Sequence, residues 1–564
     1  MTDRTKNRSF RRFFLHISKK SSIFAASIQN FMNMKKQFSL KVLMMATVAV
    51  SALFLASCAK SGYKNAIPAD APVVMELDVK NVALKADFMT QKNDIADLVE
   101  SIEPDNLMYR KIANALRSPE DLGLDFLSPM YVFASSSIDD GFFLASVRNQ
   151  NDLMSKAQSF SNDIEFLKDG DISWVLADGR VVGALTKSTL LVGSSNQKAV
   201  YRELLDLSGS ESFFSTDAGK FMKKHSADAT VMLNMEALPK QQQRQLRREV
   251  ESELDRDLRF LSTDELWEKV YETRLALNLD CNAGQIALNL FADNVDKDGR
   301  DVLKKISKDA FKQIPARNLV GLIALGVNGK ESWNRAEEEM DDLTGLLGDV
   351  ADVIETLATS TNGTAVVSLS GKNIADNPEV ICILPTPKAA IKPIISLMGS
   401  DMPRGIFVEG DKKMTALTNI PDYDFENVKS SFDKASNATS CYLYGYVDAK
   451  PLVEIAMDEL DNNTDRDMLK LNRKVRDFAS LADYMELKAE DIDRLQLALM
   501  LNDKSKNSLA LVVANGIQIG KAYLEYEEAR RASYRSYYDA ASSATEQAVE
   551  EAVEALEWDE DWDF

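Results

Sequence analysis

Cys58 is the residue of this chain whose type and surroundings point most directly to chemistry. It follows Leu55, Ala56 and Ser57, and the run 42–55 before it contains no charged residue. A cysteine thiol can take up a diacylglycerol group, and small residues before it leave the preceding peptide bond accessible to a peptidase. Leu55, Ala56 and Ser57 are therefore predicted to form a cleavage motif, and Cys58 is predicted to be the lipidation site.

The segment that carries Cys58 has the organisation of a secretory signal. Lys35, Lys36 and Lys41 precede an apolar run of fourteen residues, which is shorter than the roughly 20 that a membrane-spanning helix needs. The segment resembles the bacterial lipobox, in which the acylated cysteine becomes the first residue of the mature protein. It predicts an N-terminal membrane anchor; the alternative is an ordinary buried cysteine. Residues 1–33 are basic, and Met34 is the predicted true start.

The best candidate for a metal site is the stretch in which Asn294, Asp296 and Asp298 alternate before Gly299. Alternating oxygen ligands followed by glycine match the front of a calcium-binding EF-hand loop. The twelfth position is Lys305, where a bidentate carboxylate is needed. We therefore predict a strand-to-helix turn with Asp298 near the N-cap. A calcium site is the weaker alternative, and no cofactor is predicted.

Other catalytic constellations lack their residues. His225 is the only histidine after residue 57, so a Ser-His-Asp or His-rich metal site would have to use it. Its place after two lysines predicts a solvated turn instead. Ser-x-x-Lys occurs at Ser61/Lys64 and Ser431/Lys434, without the motifs that accompany it in penicillin-binding enzymes. Glycosidase-type carboxylate pairs stay open, because only geometry would choose among 87 Asp and Glu. No catalytic residue is predicted.

Net charge argues against a nucleic-acid-binding protein, and the number of cysteines limits the possible disulfides. The formal net charge is -20, and residues 1–57 carry ten Lys or Arg and one Asp, so the chain from Cys58 onward has a charge of about -29. An acidic surface repels phosphate backbones, so nucleic acid is not expected as a partner. After Cys58 only Cys281, Cys382 and Cys441 remain. Three free thiols are predicted, with one disulfide as the alternative in an oxidising compartment.

The elements that would position these groups are predicted to form an α+β fold. Four segments open alike, with turn residues, an apolar strand and an amphipathic helix, and a hairpin and another helix close each unit. Such repeated strand-helix-hairpin-helix units predict antiparallel sheets with helices packed on one face. The four opening strands are predicted at 73–79, 230–235, 319–327 and 439–447.

The closing hairpins and helices are predicted from apolar or alternating runs and the turns between them. The predicted hairpins pair 130–134 with 142–147, 181–185 with 189–193, 274–279 with 285–291, 364–368 with 380–384, and 494–501 with 508–513. The predicted closing helices are 152–159, 198–207, 298–306, 387–397 and a helix from about residue 519.

The chain is long enough for more than one domain. The openings at Ile67-Pro68-Ala69 and Ile314-Pro315-Ala316 repeat the same three residues, which indicates an internal duplication. The predicted organisation is a leader and signal peptide at 1–57, a linker at 58–65, a first half at 66–311, a second half at 312–530, and a tail at 531–564. The tail is predicted to be helical first and then acidic, with Trp558 and Trp562 between the acidic residues.

The lipobox, the Ile67–Pro72 opening behind it and the strand-helix units together resemble large envelope lipoproteins of a family catalogued as domain of unknown function 4836. The likeness covers Met34 to about Glu528. It implies an envelope lipoprotein without an established activity, so no functional residue follows from it.

Three functions are open at this point. The favoured one is a lipid-anchored envelope protein that binds or scaffolds a partner without catalysis. The second is a carboxylate-dependent hydrolase of envelope or dietary polymers, and the third is an accessory subunit of an outer-membrane assembly docked through the C-terminal tail.

The segment Ala59-Lys60-Ser61-Gly62 lacks an acidic export cluster. The expected location is therefore the outer membrane, with the protein facing the periplasm, and the cell surface is the alternative.

Overall fold

The computed structural model describes most of the chain after the predicted signal segment. The described residues are 61–135, 140–253, 264–295, 298–339, 351–371, 377–398, 405–428, 431–462 and 468–557. They form a mixed α and β fold whose strand pairs are antiparallel. The predicted combination of helices with antiparallel sheet is confirmed at this level.

The chain divides into two compact units. Unit 1 comprises the described residues up to Leu84, Asn114–Leu279 and Leu290–Val295. Unit 2 comprises Lys85–Ala113, Asp280–Asn289 and the described residues from Asp298 onward.

The strands of unit 1 follow the order β4-β5-β6-β7-β3-β2-β1-β8-β9. β1 is central because it pairs with β2 on one side and β8 on the other. The strands are β1 Val73–Leu77, β2 Met130–Ala134, β3 Gly141–Ser146, β4 Ile164–Asp169, β5 Ile172–Ala177, β6 Arg180–Leu185, β7 Thr189–Gly193, β8 Ala229–Asn234 and β9 Arg274–Asn282, of which the last three residues belong to unit 2.

Helices lie in the connections β1–β2, β3–β4, β7–β8 and β8–β9. Thr216 caps one of them by accepting a hydrogen bond from the Gly219 N–H, which satisfies a backbone donor at the start of the helix. The α-helices that begin in unit 1, or in the segment between β1 and β2, are α1 Val79–Lys85, α2 Phe88–Ile102, α3 Leu107–Arg117, α4 Gln150–Phe160, α5 Lys198–Asp206, α6 Asp217–Lys224, α7 Lys240–Glu253 and α8 Asp264–Glu272.

The core of unit 1 lies on one face of its sheet. Val74 on β1 pairs with Phe133 on β2 and with Met232 on β8, and Phe133 pairs with Phe142 on β3. All four side chains are buried in one apolar cluster. Side chains alternate between faces along a strand, so the residues between them, such as Met75 on β1, lie on the opposite face.

The strands of unit 2 follow the order β14-β15-β13-β12-β11-β16-β17-β18. β11 is central because it pairs with β12 and β16. The remaining strands of the chain are β10 Gln285–Asp293, β11 Leu319–Asn328, β12 Asn362–Ser370, β13 Glu379–Leu384, β14 Phe407–Gly410, β15 Thr415–Thr418, β16 Leu443–Asp448, β17 Ala482–Asp491 and β18 Arg494–Leu501.

Unit 2 also has an apolar core and a long C-terminal helix. Leu322, Val366, Ile381, Ala416 and Tyr444 are buried together, one from each of five neighbouring strands. The remaining α-helices are α9 Gly329–Glu339, α10 Ala351–Ser360, α11 Lys388–Met398, α12 Ala449–Asn462, α13 Leu469–Ala479 and α14 Ser508–Glu557. None of the helices in the described ranges is long and apolar enough to cross a membrane.

Most predicted hairpins are present, but the last one is wrong. β18 pairs with β17, which the sequence did not predict, and Ser508–Val513 is the first part of α14. The helix begins there because the Asn507 side chain accepts a hydrogen bond of 2.9 Å from the Leu509 N–H. The predicted helix 298–306 is a short 3-10 helix at Asp298–Val302, after which Leu303 bridges to Val327.

Candidate functional site

The predicted cleavage motif and lipidation site, Leu55 to Cys58, lie outside the described residues, as do Trp558 and Trp562. They stay predictions. The cysteines that the structure places are Cys281, Cys382 and Cys441, and no disulfide joins any two of these three.

The metal candidate does not form a described ligand cluster. Asn294 follows β10 with a positive φ of 61°, and its side-chain amide donates to the Glu272 carbonyl. Asp298 begins a 3-10 helix, and Asp296 lies outside the described residues. Within the described ranges no group of three or more His, Cys, Asp or Glu could hold a metal ion.

His225 sits at the C-cap of α6 rather than in a solvated turn. Its ring stacks on Phe291 with a centroid distance of 3.9 Å and meets the Phe221 ring edge-on at 4.7 Å. Its carbonyl accepts a hydrogen bond from Asn278 on β9. The half-buried imidazole therefore closes a helix end and packs in a small aromatic group, which the sequence did not indicate.

Both Ser-x-x-Lys lysines lie over aromatic rings. The Lys64 ammonium is 5.3 Å from the ring centre of Tyr131 and 5.4 Å from that of Phe214. The Lys434 ammonium is 4.0 Å from the ring centre of Tyr484 and donates to the Tyr446 hydroxyl at 3.4 Å. Such cation–π contacts stabilise a partly desolvated amine. They give each lysine a packing role that the Ser-x-x-Lys spacing does not predict.

The first chemically distinctive group is a buried carboxylate, Glu76, on the central strand of unit 1. Glu76 is 7% exposed and follows Val74 on the inward face of β1. It pairs with Tyr131 on β2 and with Thr230 on β8, both fully buried. The Ser226 hydroxyl donates to its Oε1. A charge at an inward strand position is the signal by which the sequence could have identified Glu76.

Charge and burial shift the pKa values of the groups around Glu76. Burial raises the pKa of Tyr131 far above its usual range, and the negative charge of Glu76 adds to the effect. Burial lowers the pKa of Lys64, although Glu76 acts in the opposite direction. The Tyr131 hydroxyl is buried without a hydrogen-bond partner among the described residues. Tyr131 is therefore a neutral phenol held in the core.

The second such group is Glu486 on β17 of unit 2, which is 3% exposed. Its Oε1 accepts hydrogen bonds of 2.8 Å from the Tyr444 hydroxyl and from the Asn437 amide, and Oε2 is 2.6 Å from the Lys488 ammonium. Burial alone would raise the pKa of Glu486, but the hydrogen bonds from Lys488, Asn437 and Tyr444 outweigh it and hold the pKa below its usual range. The ionised carboxylate links β16, β17 and the 3-10 helix Asp433–Ala438.

In both clusters the carboxylate accepts hydrogen bonds from side chains of its own unit. The carboxylate of Glu486 is engaged by three donors of its own unit, and the phenols beside both carboxylates stay protonated because burial raises their pKa values. A general acid or base needs access to the proton that it transfers. The geometry therefore assigns these carboxylates to the architecture of the sheets.

Comparisons with known proteins place the chain in context. A family model described as "Domain of unknown function (DUF4836)" matches residues 63–380, more than half of the chain. No curated protein matches. Crystal form I of TP0453 is similar over 41% of this chain and 81% of its own, with 10% identity and a TM-score of 0.21. Crystal form III of TP0453 covers 64% and 94%, with 8% identity and a TM-score of 0.20. TM-scores this low support no conclusion about fold or function.

Proposed function

The chain belongs to the DUF4836 family, whose function is unknown, and from that premise we propose that it is a lipid-anchored protein of the bacterial cell envelope that binds or scaffolds a partner without catalysing a reaction. The anchor rests on Cys58 and on the apolar run before it. The proposed location is the outer membrane, with the protein facing the periplasm.

One observation carries the non-catalytic part of the proposal. Glu486 accepts hydrogen bonds from Tyr444, Asn437 and Lys488, and Glu76 accepts one from Ser226. Buried charges are tolerated when they are paired and hydrogen-bonded in this way. Because both carboxylates are engaged within the sheets that hold them, their function is to fix strand packing.

An internal duplication is supported by matching connections in the two units. β1, β2, β3, β7 and β8 pair in the same order as β11, β12, β13, β15 and β16. Phe213 donates its N–H to the Ile67 carbonyl at 2.8 Å, and Phe432 donates to Ile314 at 3.1 Å. Pro68 bridges to Ser212 as Pro315 bridges to Ser431. We infer that a two-unit scaffold arose by repetition of one unit.

Packing of helices on one sheet face is supported in unit 1. Tyr201 and Leu204 of α5 and Met222 of α6 join the buried cluster that contains Val74. Met75 and Val132, which pair with each other on the opposite face, are 38% and 42% exposed. One face thus carries the helices, and the other is open to a partner or to solvent.

A second candidate is the accessory subunit docked through the C-terminal tail. The outer part of α14 exposes Tyr534 and Tyr538, which are 54% and 69% exposed, together with Val549. Aromatic residues are enriched in protein interfaces. Truncation after Glu528 tests it: the candidate expects loss of a co-purifying partner, and full retention of that partner would contradict it.

The test of the main proposal is an affinity purification from detergent-solubilised native envelopes, with Cys58→Ala beside the natural chain. We expect a stoichiometric partner that is lost, or strongly reduced, without the anchor. Glu486→Gln, checked to be folded by circular dichroism, should still bind that partner. A polymer-hydrolysing activity that disappears in folded Glu486→Gln would overturn the non-catalytic assignment.

A further inference from the structure

A group of lysines gathers at the end of unit 1 where β1 ends. Leu77, the last residue of β1, pairs with Met130 at the start of β2 and with Ala229 at the start of β8. The Asp78 N–H donates to the Asp228 carbonyl at 2.9 Å, which holds the start of α1 beside the segment after α6. We call this region the lysine end; it contains Lys64, Lys80, Lys223 and Lys224.

These lysines come from three different helical segments. Lys80 lies on α1, Lys223 and Lys224 form the last turn of α6, and all three are exposed. Lys64 lies on the 3-10 helix Ser61–Ala66, and its ammonium interacts electrostatically with Lys223. Because the two charges repel one another, a nearby anion would stabilise both.

The acidic side chains beside these lysines are turned inward or occupied. Glu76 is buried and bound to Ser226, and Asp228 is 2% exposed. Asp78 accepts hydrogen bonds from the backbone and the side chain of Asn81. Lys80, Lys223 and Lys224 are exposed, whereas Glu76 and Asp228 are buried and only Asp78 is half-exposed, so the surface of the lysine end is positive on a chain whose formal net charge is -20.

The lysine end is covalently close to the predicted anchor. Ser61 is the third residue after Cys58, and three extended residues span at most about 11 Å. The 3-10 helix advances by about 2 Å per residue, so Lys64 lies roughly 6 Å beyond Ser61. Tyr63 and Ile67 fix this helix to the core, since both are buried and the Tyr63 hydroxyl donates to the Pro129 carbonyl at 2.6 Å.

We propose that the lysine end of unit 1 contacts the headgroups of anionic phospholipids in the membrane that holds acylated Cys58. This inference rests on the proposed anchor, because a short tether keeps the lysine end at the membrane surface. An anionic surface attracts lysines within about a Debye length and repels the acidic remainder of the chain. The charge asymmetry therefore orients unit 1 as well as holding it.

Lysine footprinting on vesicles tests the contact directly. The acylated protein is reconstituted in phosphatidylglycerol-containing vesicles and in pure phosphatidylcholine vesicles, and a water-soluble acetylating reagent is added. We expect acetylation of Lys80, Lys223 and Lys224 to be several-fold slower on the anionic vesicles, and Lys240 on α7 to be unchanged. About 0.5 M salt should remove the difference. Equal rates on both vesicles would overturn the proposal.

A pair of charge-reversed variants separates this inference from the anchor itself. In the acylated protein on phosphatidylglycerol vesicles, Lys223→Glu with Lys224→Glu should raise the acetylation rate of Lys80 to the rate on phosphatidylcholine vesicles. The matched control, Lys240→Glu with Arg244→Glu, reverses two exposed charges on α7 and should leave the protection of Lys80 unchanged. Equal effects of the two variants, or no effect of either, contradict the lysine end. Absence of lipid on Cys58 in cells would contradict the anchor alone.

Discussion

The Tyr444 hydroxyl on β16 donates a hydrogen bond of 2.8 Å to the buried Glu486 carboxylate on β17. The two residues lie on adjacent strands, two register positions from direct pairing, since Tyr446 is the partner of Glu486 and Lys488 the partner of Tyr444. The bond therefore runs diagonally across the sheet. It ties the ladder together through side chains on its inner face.

Removing this donor should destabilise unit 2. We expect Tyr444→Phe to lower the free energy of unfolding by about 1.5–3 kcal/mol, because a hydrogen bond to a buried charged group is lost. Tyr442→Phe is the matched control, since the Tyr442 ring packs under Lys305 and phenylalanine keeps that contact. Urea unfolding followed by circular dichroism measures both. An equal loss of stability in the two variants would contradict the role of Glu486.

Tyr131 in unit 1 should respond differently to the same substitution. Its hydroxyl lies beside Glu76 and Tyr63 but makes no hydrogen bond of normal geometry with the described residues, and a buried polar group without such a bond is destabilising. We therefore expect Tyr131→Phe to be neutral or to raise the free energy of unfolding by up to about 1 kcal/mol. The same urea experiment decides the matter. A loss comparable to that of Tyr444→Phe would show that the hydroxyl has a partner after all.

The stability that Glu486 contributes should depend on pH. Its pKa is lowered in the folded protein, so the unfolded chain takes up the proton first as pH falls, from about 4.3 downward. The contribution is fully present above that value and is lost as pH falls through the folded pKa. The difference in unfolding free energy between the natural chain and Glu486→Gln should therefore be largest at neutral pH and shrink below about pH 4.3. A difference that does not change with pH would contradict this account.

Two helical glycines should have opposite effects when changed to alanine. A Cβ at Gly219 on α6 would lie 2.2 Å from the Phe213 carbonyl oxygen, whereas a Cβ at Gly516 on α14 has nothing within 4 Å. Gly219→Ala should cost roughly 1–3 kcal/mol because backbone must move. Gly516→Ala should stabilise by up to about 1 kcal/mol, since alanine favours a helix. Thermal unfolding measures both shifts, and destabilisation by Gly516→Ala would be inconsistent with the open surroundings of that position.

Strong local patterns made part of the fold predictable. The hairpins β2–β3 and β6–β7 are predictable because short apolar runs flank polar turns, and the structure confirms them. The hairpin β4–β5 was missed, since Lys168 and Asp169 interrupt its apolar pattern. The predicted strand Ser508–Val513 is wrong because a short run of leucine and valine suits a strand and a helix equally. The Asn507 cap decides for the helix.

The candidate site was harder to predict from the sequence than the fold. Tyr484, Glu486 and Lys488 alternate along one strand, but that strand itself was not predicted. The donors Asn437 and Tyr444 come from segments that only the antiparallel register brings to Glu486. Glu76 lay in a correctly predicted strand, and its inward phase was the only local sign of its burial. The chain has 87 acidic residues, and no sequence pattern singles out Glu76 and Glu486 among them as the buried ones.

The central claim is the lipid anchor at Cys58, and metabolic labelling of the full-length chain with an alkyne fatty acid tests it most directly. The natural chain should carry the label, fractionate with the outer membrane, and yield an acylated N-terminal peptide that begins at Cys58 by mass spectrometry. Cys58→Ala should carry no label. An unlabelled natural chain, or a label that persists in Cys58→Ala, would contradict the account.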